Sequence, residues 1–282
     1  MIIFNTIAEL RSHLASQRKA GKSISFVSTM GALHAGHTSL VEHGKELADI
    51  TVAGIFLNPS HFAEGEDFDT YPRTLEADCE KLREVGCDIV FAPSVSEIYP
   101  NGLDCQAVVD TPTLSRRYCG HTRPHFFSAI ATVVTKLLNI VQPDYSLFGE
   151  KDYQQLAVCR QLVETLNIPT QVIGVPTVRD EFGLALSSRN TYLTDNERRD
   201  AAALYRVLQS TRDKVLAGRN DFEALEVEAL DELTEHGFQP DYLSLTNAHT
   251  LEPVDSESSE IAILCAANIR SVRLIDNITF SK

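Results

Sequence analysis

Up to Val175, apolar residues come in short continuous runs, and the stretches between them have a helical period. This alternation predicts strands and helices in turn. The strand-like runs are Ser23–Val27, Ile50–Leu57, Asp88–Phe91, Ala107–Asp110, Ser146–Phe148 and Gln171–Val175. Helix-like runs separate them at Thr38–Ala48, Leu75–Val85, Ser128–Ile140 and Tyr153–Leu166. The β-branched stretch Ala129–Leu138 fits either type, and its length favours a buried helix. Such alternation implies a mostly parallel sheet covered on both faces, with a ligand crevice at the carboxyl ends of the strands.

After Val178 the pattern changes to two charged helices, Asp195–Ala217 and Asp221–Glu235, followed by strands at Tyr242–Asn247, Ile261–Ala267 and Val272–Ile275. Helices followed by a run of strands predict a small separate α+β unit. Pro176 closes the last strand before it. The expected fold is therefore α/β: a Rossmann-like, doubly wound parallel sheet over residues 1–177, then a smaller α+β C-terminal domain over 178–282.

Composition narrows the picture. A chain of 282 residues, 43% hydrophobic and 23% charged, has the make-up of a globular protein with a real core. Its N-terminus, MIIFNTIAELRSHL, has no basic segment before a long apolar one, so no signal peptide is predicted. No apolar run reaches membrane-spanning length, and a cytoplasmic location is expected. The net charge of −14 argues against broad nucleic-acid binding but leaves room for a small anionic ligand met by a few local basic groups. Six cysteines at 79, 87, 105, 119, 159 and 265 lack CxxC or CxxH spacing and read as buried or idle thiols.

The candidate chemistry centres on Ser28-Thr29-Met30-Gly31-Ala32-Leu33-His34-Ala35-Gly36-His37, where a predicted strand turns into a helix. Backbone N–H groups and the positive end of the helix dipole point outward at such a turn. Gly36 permits close approach, and His34 and His37 add donors that can follow charge onto phosphate oxygens. A surface or capping role for the histidines is the plain alternative. Asn58, Pro59 and His61 end the second strand; they read as a tight turn or as residues facing the same crevice. Phe148-Gly149-Glu150-Lys151-Asp152 repeats the strand–glycine–helix layout, with Gln155 on the same face, and a capped surface helix is the alternative there. Leu186-Ser187-Ser188-Arg189-Asn190 offers two hydroxyls and a guanidinium as an anion clamp; the alternative, a helix N-cap, is better served by Thr194. Arg73, Arg123 and the histidines at 121 and 125 are weaker candidates.

TMGALHAGH, FLNP, YPRT, FGEKDYQQL, GLALSSRN and RLIDN, in this order and spacing, resemble the pantothenate synthetase (pantoate–β-alanine ligase) family across essentially the whole chain. That family belongs to the nucleotidyltransferases with an HxGH motif. The resemblance implies a two-step reaction: the pantoate carboxylate attacks the α-phosphorus of Mg-ATP, then the amine of β-alanine attacks the pantoyl adenylate and releases AMP. It places Met30, Gly31, Ala32, Leu33, His34, Ala35, Gly36 and His37 at ATP, with His37 the catalytic residue. It adds Gly149, Glu150, Lys151 and Asp152 for adenosine and phosphates, Val178 for adenine, and Leu186, Ser187, Ser188 and Arg189 as a second phosphate loop. Gln155, Asn58 and His61 fall at the substrate. ATP as substrate, Mg2+ and a homodimer are implied; metal ligands are not.

The chain departs from the family at three places. Ser28 replaces a proline before Thr29-Met30. His61 replaces the glutamine that contacts pantoate and β-alanine. Phe126 stands where a histidine follows Arg123, with His125 one place early. A ligase for another small hydroxy acid or amine therefore stays open. So does a plain nucleotidyltransferase, against which GEKDYQQL and SSRN stand together. A metal hydrolase or inactive binding module built on His34, His37, His61 and Asp152 lacks the spacing of HExxH sites.

Overall fold

The computed structural model describes residues 1–62 and 68–282. Its larger sheet has six strands: β1 (Ile2–Phe4), β2 (Ile24–Thr29), β3 (Ile50–Ile55), β4 (Ile89–Phe91), β5 (Tyr145–Gly149) and β6 (Gln171–Val175). They lie in the order β1-β4-β3-β2-β5-β6, and every neighbouring pair is parallel. The inner strands are apolar runs because helices cover both sides of a parallel sheet. Phe26, Val27, Val52, Ala53, Val90 and Leu147 have at most 1% exposure.

The strand order reverses at β2. The chain runs from β2 through β3 to β4 on one side, then returns to place β5 against the other edge of β2. At such a reversal the connections after neighbouring strands diverge and leave a crevice at the carboxyl ends. The turns after Thr29 and after Gly149 flank that point.

Helices α1 (Ile7–Lys19), α2 (Ala35–Leu47), α3 (Leu75–Glu84), α4 (Phe126–Val141) and α5 (Tyr153–Thr165) connect the strands, with shorter helical turns between some of them. The β-branched run around Val133–Thr135 is helical, as its length suggested, with Ile130, Val133, Val134, Leu137 and Leu138 buried. Two expectations need correction. Ile2–Phe4 forms an edge strand on β4, a pairing too short for a periodicity to register. Ala107–Asp110 stays irregular: Val108 is 70% exposed, and the Val109 N–H donates to the Thr132 hydroxyl rather than to a strand. Pro112 follows two residues after Asp110 and removes a backbone donor.

The chain divides into two compact units, Met1–Gly149 with Val158–Val175, and Glu150–Ala157 with Pro176–Lys282. In the second, α6 (Ala203–Leu216) and α7 (Phe222–Glu235) pack on an antiparallel sheet of β7 (Gln239–Asn247), β8 (Glu260–Ile269) and β9 (Val272–Ser281). Val207, Leu208, Leu225 and Leu233 meet Leu243, Ile263 and Leu274 in one core. The helix expected over Asp195–Ala217 is broken at Ala202 into Asp195–Ala201 and α6. Thr194 caps the first piece in a reciprocal box with Glu197, the arrangement its position suggested. Segment Glu150–Ala157, which the sequence pattern left with the sheet, belongs with the second unit. The Asn277 amide donates to the Glu150 and Lys151 carbonyls, and the Tyr153 hydroxyl to the Ala248 carbonyl.

Candidate active site

At the end of β2 the Thr29 hydroxyl donates to the Gly54 carbonyl (2.9 Å) and accepts the Gly31 N–H (3.3 Å). The backbone then reverses through positive φ at Gly31 (85°) and Ala32 (51°). A side chain on Gly31 would be strained at that φ and would place Cβ 3.2 Å from the Asp78 carboxylate. Asp78, on α3, is 0% exposed and holds the turn: its carboxylate accepts the N–H groups of Ala32 (3.0 Å) and Leu33 (2.8 Å) and the Thr74 hydroxyl (3.1 Å). One helical turn on, Lys81 Nζ donates to the Leu33 carbonyl at 2.5 Å. A buried carboxylate is retained only when hydrogen bonds replace its water, and here backbone donors do so.

The turn delivers the chain into α2 with His34 as N-cap. His34 Nδ1 accepts the Gly36 N–H (3.1 Å), and His37 Nδ1 accepts the His34 N–H (3.3 Å), a capping box built from two imidazoles. Their ring centroids lie 4.1 Å apart. With Nδ1 the acceptor in each ring, a neutral imidazole carries its proton on Nε2. The cap thus fixes the tautomer, and the dipole of α2 favours negative charge at the same end. The histidines cap α2, as the plain alternative expected, and the cap is what orients both rings.

On neighbouring β3 the chain ends in a short turn, Pro59–His61. The buried Asn58 (1% exposed) accepts at Oδ1 from the Ser60 N–H and hydroxyl and from the Tyr99 hydroxyl (3.1 Å). Its Nδ2 is enclosed with no hydrogen-bond partner among the described residues, and so is His61 Nε2. Each orphaned group costs about 1–3 kcal/mol, a cost that a polar ligand bound at this strand end would offset. Burial, and secondarily Arg123, push the His61 imidazole down to about 4, so it is neutral near pH 7.

Two of the departures from the family pattern, His61 and Phe126, touch. The His61 and Phe126 rings meet edge-on at 5.9 Å, and the Arg123 guanidinium lies 3.8 Å above Phe126 while donating to the His61 carbonyl (2.9 Å). The two side chains pack together, and Arg123 is held by both residues. Arg73 instead donates to the Phe68 and Asp69 carbonyls of its own loop.

The first unit therefore brings together Met30–His37, Asn58 and His61 at adjacent strand ends, with Gly149 closing β5 on the other side of β2. The second unit carries Glu150, Lys151, Asp152, Gln155, Val178 and Leu186–Arg189. Within it the Leu186 N–H donates to the Val178 carbonyl (2.9 Å), closing a hairpin, and the Ser187 hydroxyl accepts the Arg189 N–H at the start of a short helical turn. Pattern reading missed Asp78. The available signal was an acid on the same stripe of α3 as buried Cys79 and Leu82, a position that calls for a hydrogen-bonded role.

A reversed parallel sheet, an HxGH turn capping the helix after its central strand and a glycine at the adjoining strand end define an α/β nucleotide-binding enzyme. Residues 2–279 match the family described as pantoate-beta-alanine ligase. The pantothenate synthetase of Azotobacter vinelandii is 50% identical over 279 residues, covering 99% of each chain. That of Stutzerimonas stutzeri is 51% identical over 278 residues, 99% of this chain and 97% of the relative. Among solved structures, the Thermus thermophilus pantothenate synthetase has a TM-score of 0.88 at 41% identity, with 99% of each chain covered. The Francisella tularensis ligase, complexed with beta-gamma ATP and beta-alanine, has a TM-score of 0.80 at 35% identity, covering 99% of this chain and 97% of that one. The chain belongs to the pantoate–β-alanine ligase family.

Two outcomes are expected here. Asp78→Asn keeps the volume but turns an amide N–H toward a backbone N–H; stability should fall by about 1–3 kcal/mol in urea unfolding, with a raised KM for ATP. Unchanged values would mean that Asp78 does not hold the turn. For His61, the unfolded ring takes up a proton near 6.5 and the folded ring only near 4. Its neutral form is therefore compatible with folding above pH 6.5, and stability is lost as pH falls from there toward 4. The full loss is roughly 3 kcal/mol relative to His61→Gln, whose profile should lack this component. Parallel profiles for the two proteins would contradict the buried, neutral ring.

Proposed function

We propose that this chain condenses pantoate with β-alanine through a pantoyl adenylate. One observation carries the reading: the double-imidazole cap at the end of β2 stands beside two enclosed, unpartnered polar atoms, Asn58 Nδ2 and His61 Nε2, at the end of β3. Anion-stabilising donors and a pocket for a small polar acid are what adenylation of a carboxylate requires. Family membership, and the ATP and β-alanine in the Francisella complex, support the same assignment.

In the first step a carboxylate oxygen of pantoate attacks the α-phosphorus and pyrophosphate leaves. The amine of β-alanine then attacks the acyl carbon, the acyl–oxygen bond breaks, and AMP departs with that oxygen. Positioning and charge stabilisation supply most of the rate in such phosphoryl chemistry. We assign Met30–His37 to the triphosphate, with the His37 Nε2 proton donated as charge develops there. Gly149–Asp152 and Val178 hold adenosine, and Leu186–Arg189 the outer phosphates. Asn58, His61 and Gln155 hold the hydroxy acid, His61 as a neutral donor rather than a cation. Mg2+ carried on the ATP phosphate oxygens is part of the assignment, with no protein ligand to it named. When bound it neutralises phosphate charge. We place the enzyme in the cytoplasm as a homodimer, with the unit Glu150–Ala157 and Pro176–Lys282 serving as a lid. Among the described residues no helix is long and apolar enough to cross a membrane.

The His61–Phe126 contact favours one second reading, a ligase of the same mechanism for another hydroxy acid. Pyrophosphate release from Mg-ATP with pantoate, with and without β-alanine, separates the two. AMP and pantothenate appearing together on addition of the amine is the expected result; bound ATP with no pyrophosphate would move the assignment to another acid. Gly149→Ala sharpens the test, because a Cβ there meets no described atom within 4 Å and φ is ordinary. Its melting temperature should stay unchanged while KM for ATP rises about tenfold or more, as expected where backbone must approach a ligand. Unaltered ATP kinetics would remove Gly149 from the nucleotide site. His61→Gln should raise kcat/KM for pantoate; a lower value would show that histidine suits the natural substrate better.

A further inference from the structure

The RLIDN segment, Arg273–Asn277, lies on β9 and has no role in the assignment above. Its last two residues face opposite sides of the strand and each grips a different loop. On the face shared with buried Leu274 and Ile278, Asp276 (3% exposed) receives a bidentate pair from Arg179, 2.6 Å to Oδ2 and 2.9 Å to Oδ1. The same guanidinium donates to the Gly183 carbonyl and stacks 3.3 Å over Tyr205 of α6. Arg179 opens the hairpin whose strands meet at Arg179 and Ala185 and whose closing bond joins Leu186 to Val178. Asp276 therefore sets the base from which Ser187–Arg189 projects. On the other face, Asn277 (6% exposed) donates its amide to the carbonyls of both Glu150 (2.8 Å) and Lys151 (2.9 Å). Its own N–H donates to Asp276 Oδ1 (2.8 Å), which couples the two residues.

We propose that Asp276 and Asn277 are a pair of positioning residues that hold the two ATP-binding loops of the second unit, Glu150–Asp152 and Leu186–Arg189, in one fixed spacing through a single strand. The proposal rests on the assignment of those loops to ATP. A buried Asn that spends its amide on two consecutive carbonyls fixes the turn carrying Lys151. A bidentate Arg–carboxylate pair does the same for the hairpin with a planar, directional link.

The test uses the full-length enzyme and Asn277→Asp, Asn277→Ala and Asp276→Asn. The first is nearly isosteric and sets a carboxylate oxygen against two carbonyls; the last keeps the shape and weakens the Arg179 link. Melting temperature is measured with steady-state KM for ATP and for β-alanine. Losing one such link should raise KM for ATP about ten- to hundredfold, with KM for β-alanine within about twofold and the folded state retained. Two results overturn the proposal: ATP kinetics equal to wild type in folded variants, or KM for both substrates rising together in proportion to lost stability. A wild-type enzyme that releases no pyrophosphate with pantoate would instead fail the functional assignment, and the two failures are thereby distinguished. Should Asn277→Ala not fold, Asn277→Asp and Asp276→Asn decide the matter.

Discussion

The sheet depends on β2 having parallel partners on both edges, β3 on one and β5 on the other. This pairing reverses the strand order and makes the chain leave neighbouring strand ends in different directions. The crevice follows from that topology before any side chain is considered. Val27, Ala53 and Leu147, all 0% exposed, lock the three strands in register, so the residues just beyond them are set on a rigid base. Thr29, Asn58 and Gly149 stand there.

Polar groups then do locally what apolar packing cannot. Asp78 and Lys81 tie down a turn that contains positive φ at two consecutive residues. Two imidazoles close the first turn of α2 and, in doing so, select the tautomer that presents Nε2–H. At β3 the balance is reversed, because Asn58 and His61 each keep an enclosed polar atom without a partner among the described residues. A polar ligand bound there would offset that cost. In the second unit the same logic reappears on β9, where one carboxylate and one amide fix two loops from opposite faces of a strand.

The sequence made the covered strands legible because burial on both faces writes continuous apolar runs, as at Ile50–Ile55. It made the motifs legible because glycine, histidine and hydroxyl residues at strand ends have local conformational meaning. What it hid was tertiary. Asp78 bonds residues 46 and 45 positions away, and Asn277 reaches 127 and 126 positions back, so no local pattern marks either as an anchor. Ile2–Phe4 pairs only because β4 offers an open edge, and Ala107–Asp110 remains irregular with its backbone bonded to Thr132. The break at Ala202 lies in an alanine-rich stretch of uniformly good helix formers, where propensity gives no stop.

The most direct measurement follows oxygen. With pantoate labelled in its carboxylate by oxygen-18, the proposed sequence transfers one labelled atom to phosphorus and releases it in AMP, leaving the other in the amide carbonyl of the product. Mass spectrometry of AMP should therefore find one heavy oxygen per turnover. AMP free of label, with both heavy atoms retained on the acid or found elsewhere, would contradict an acyl adenylate at this site.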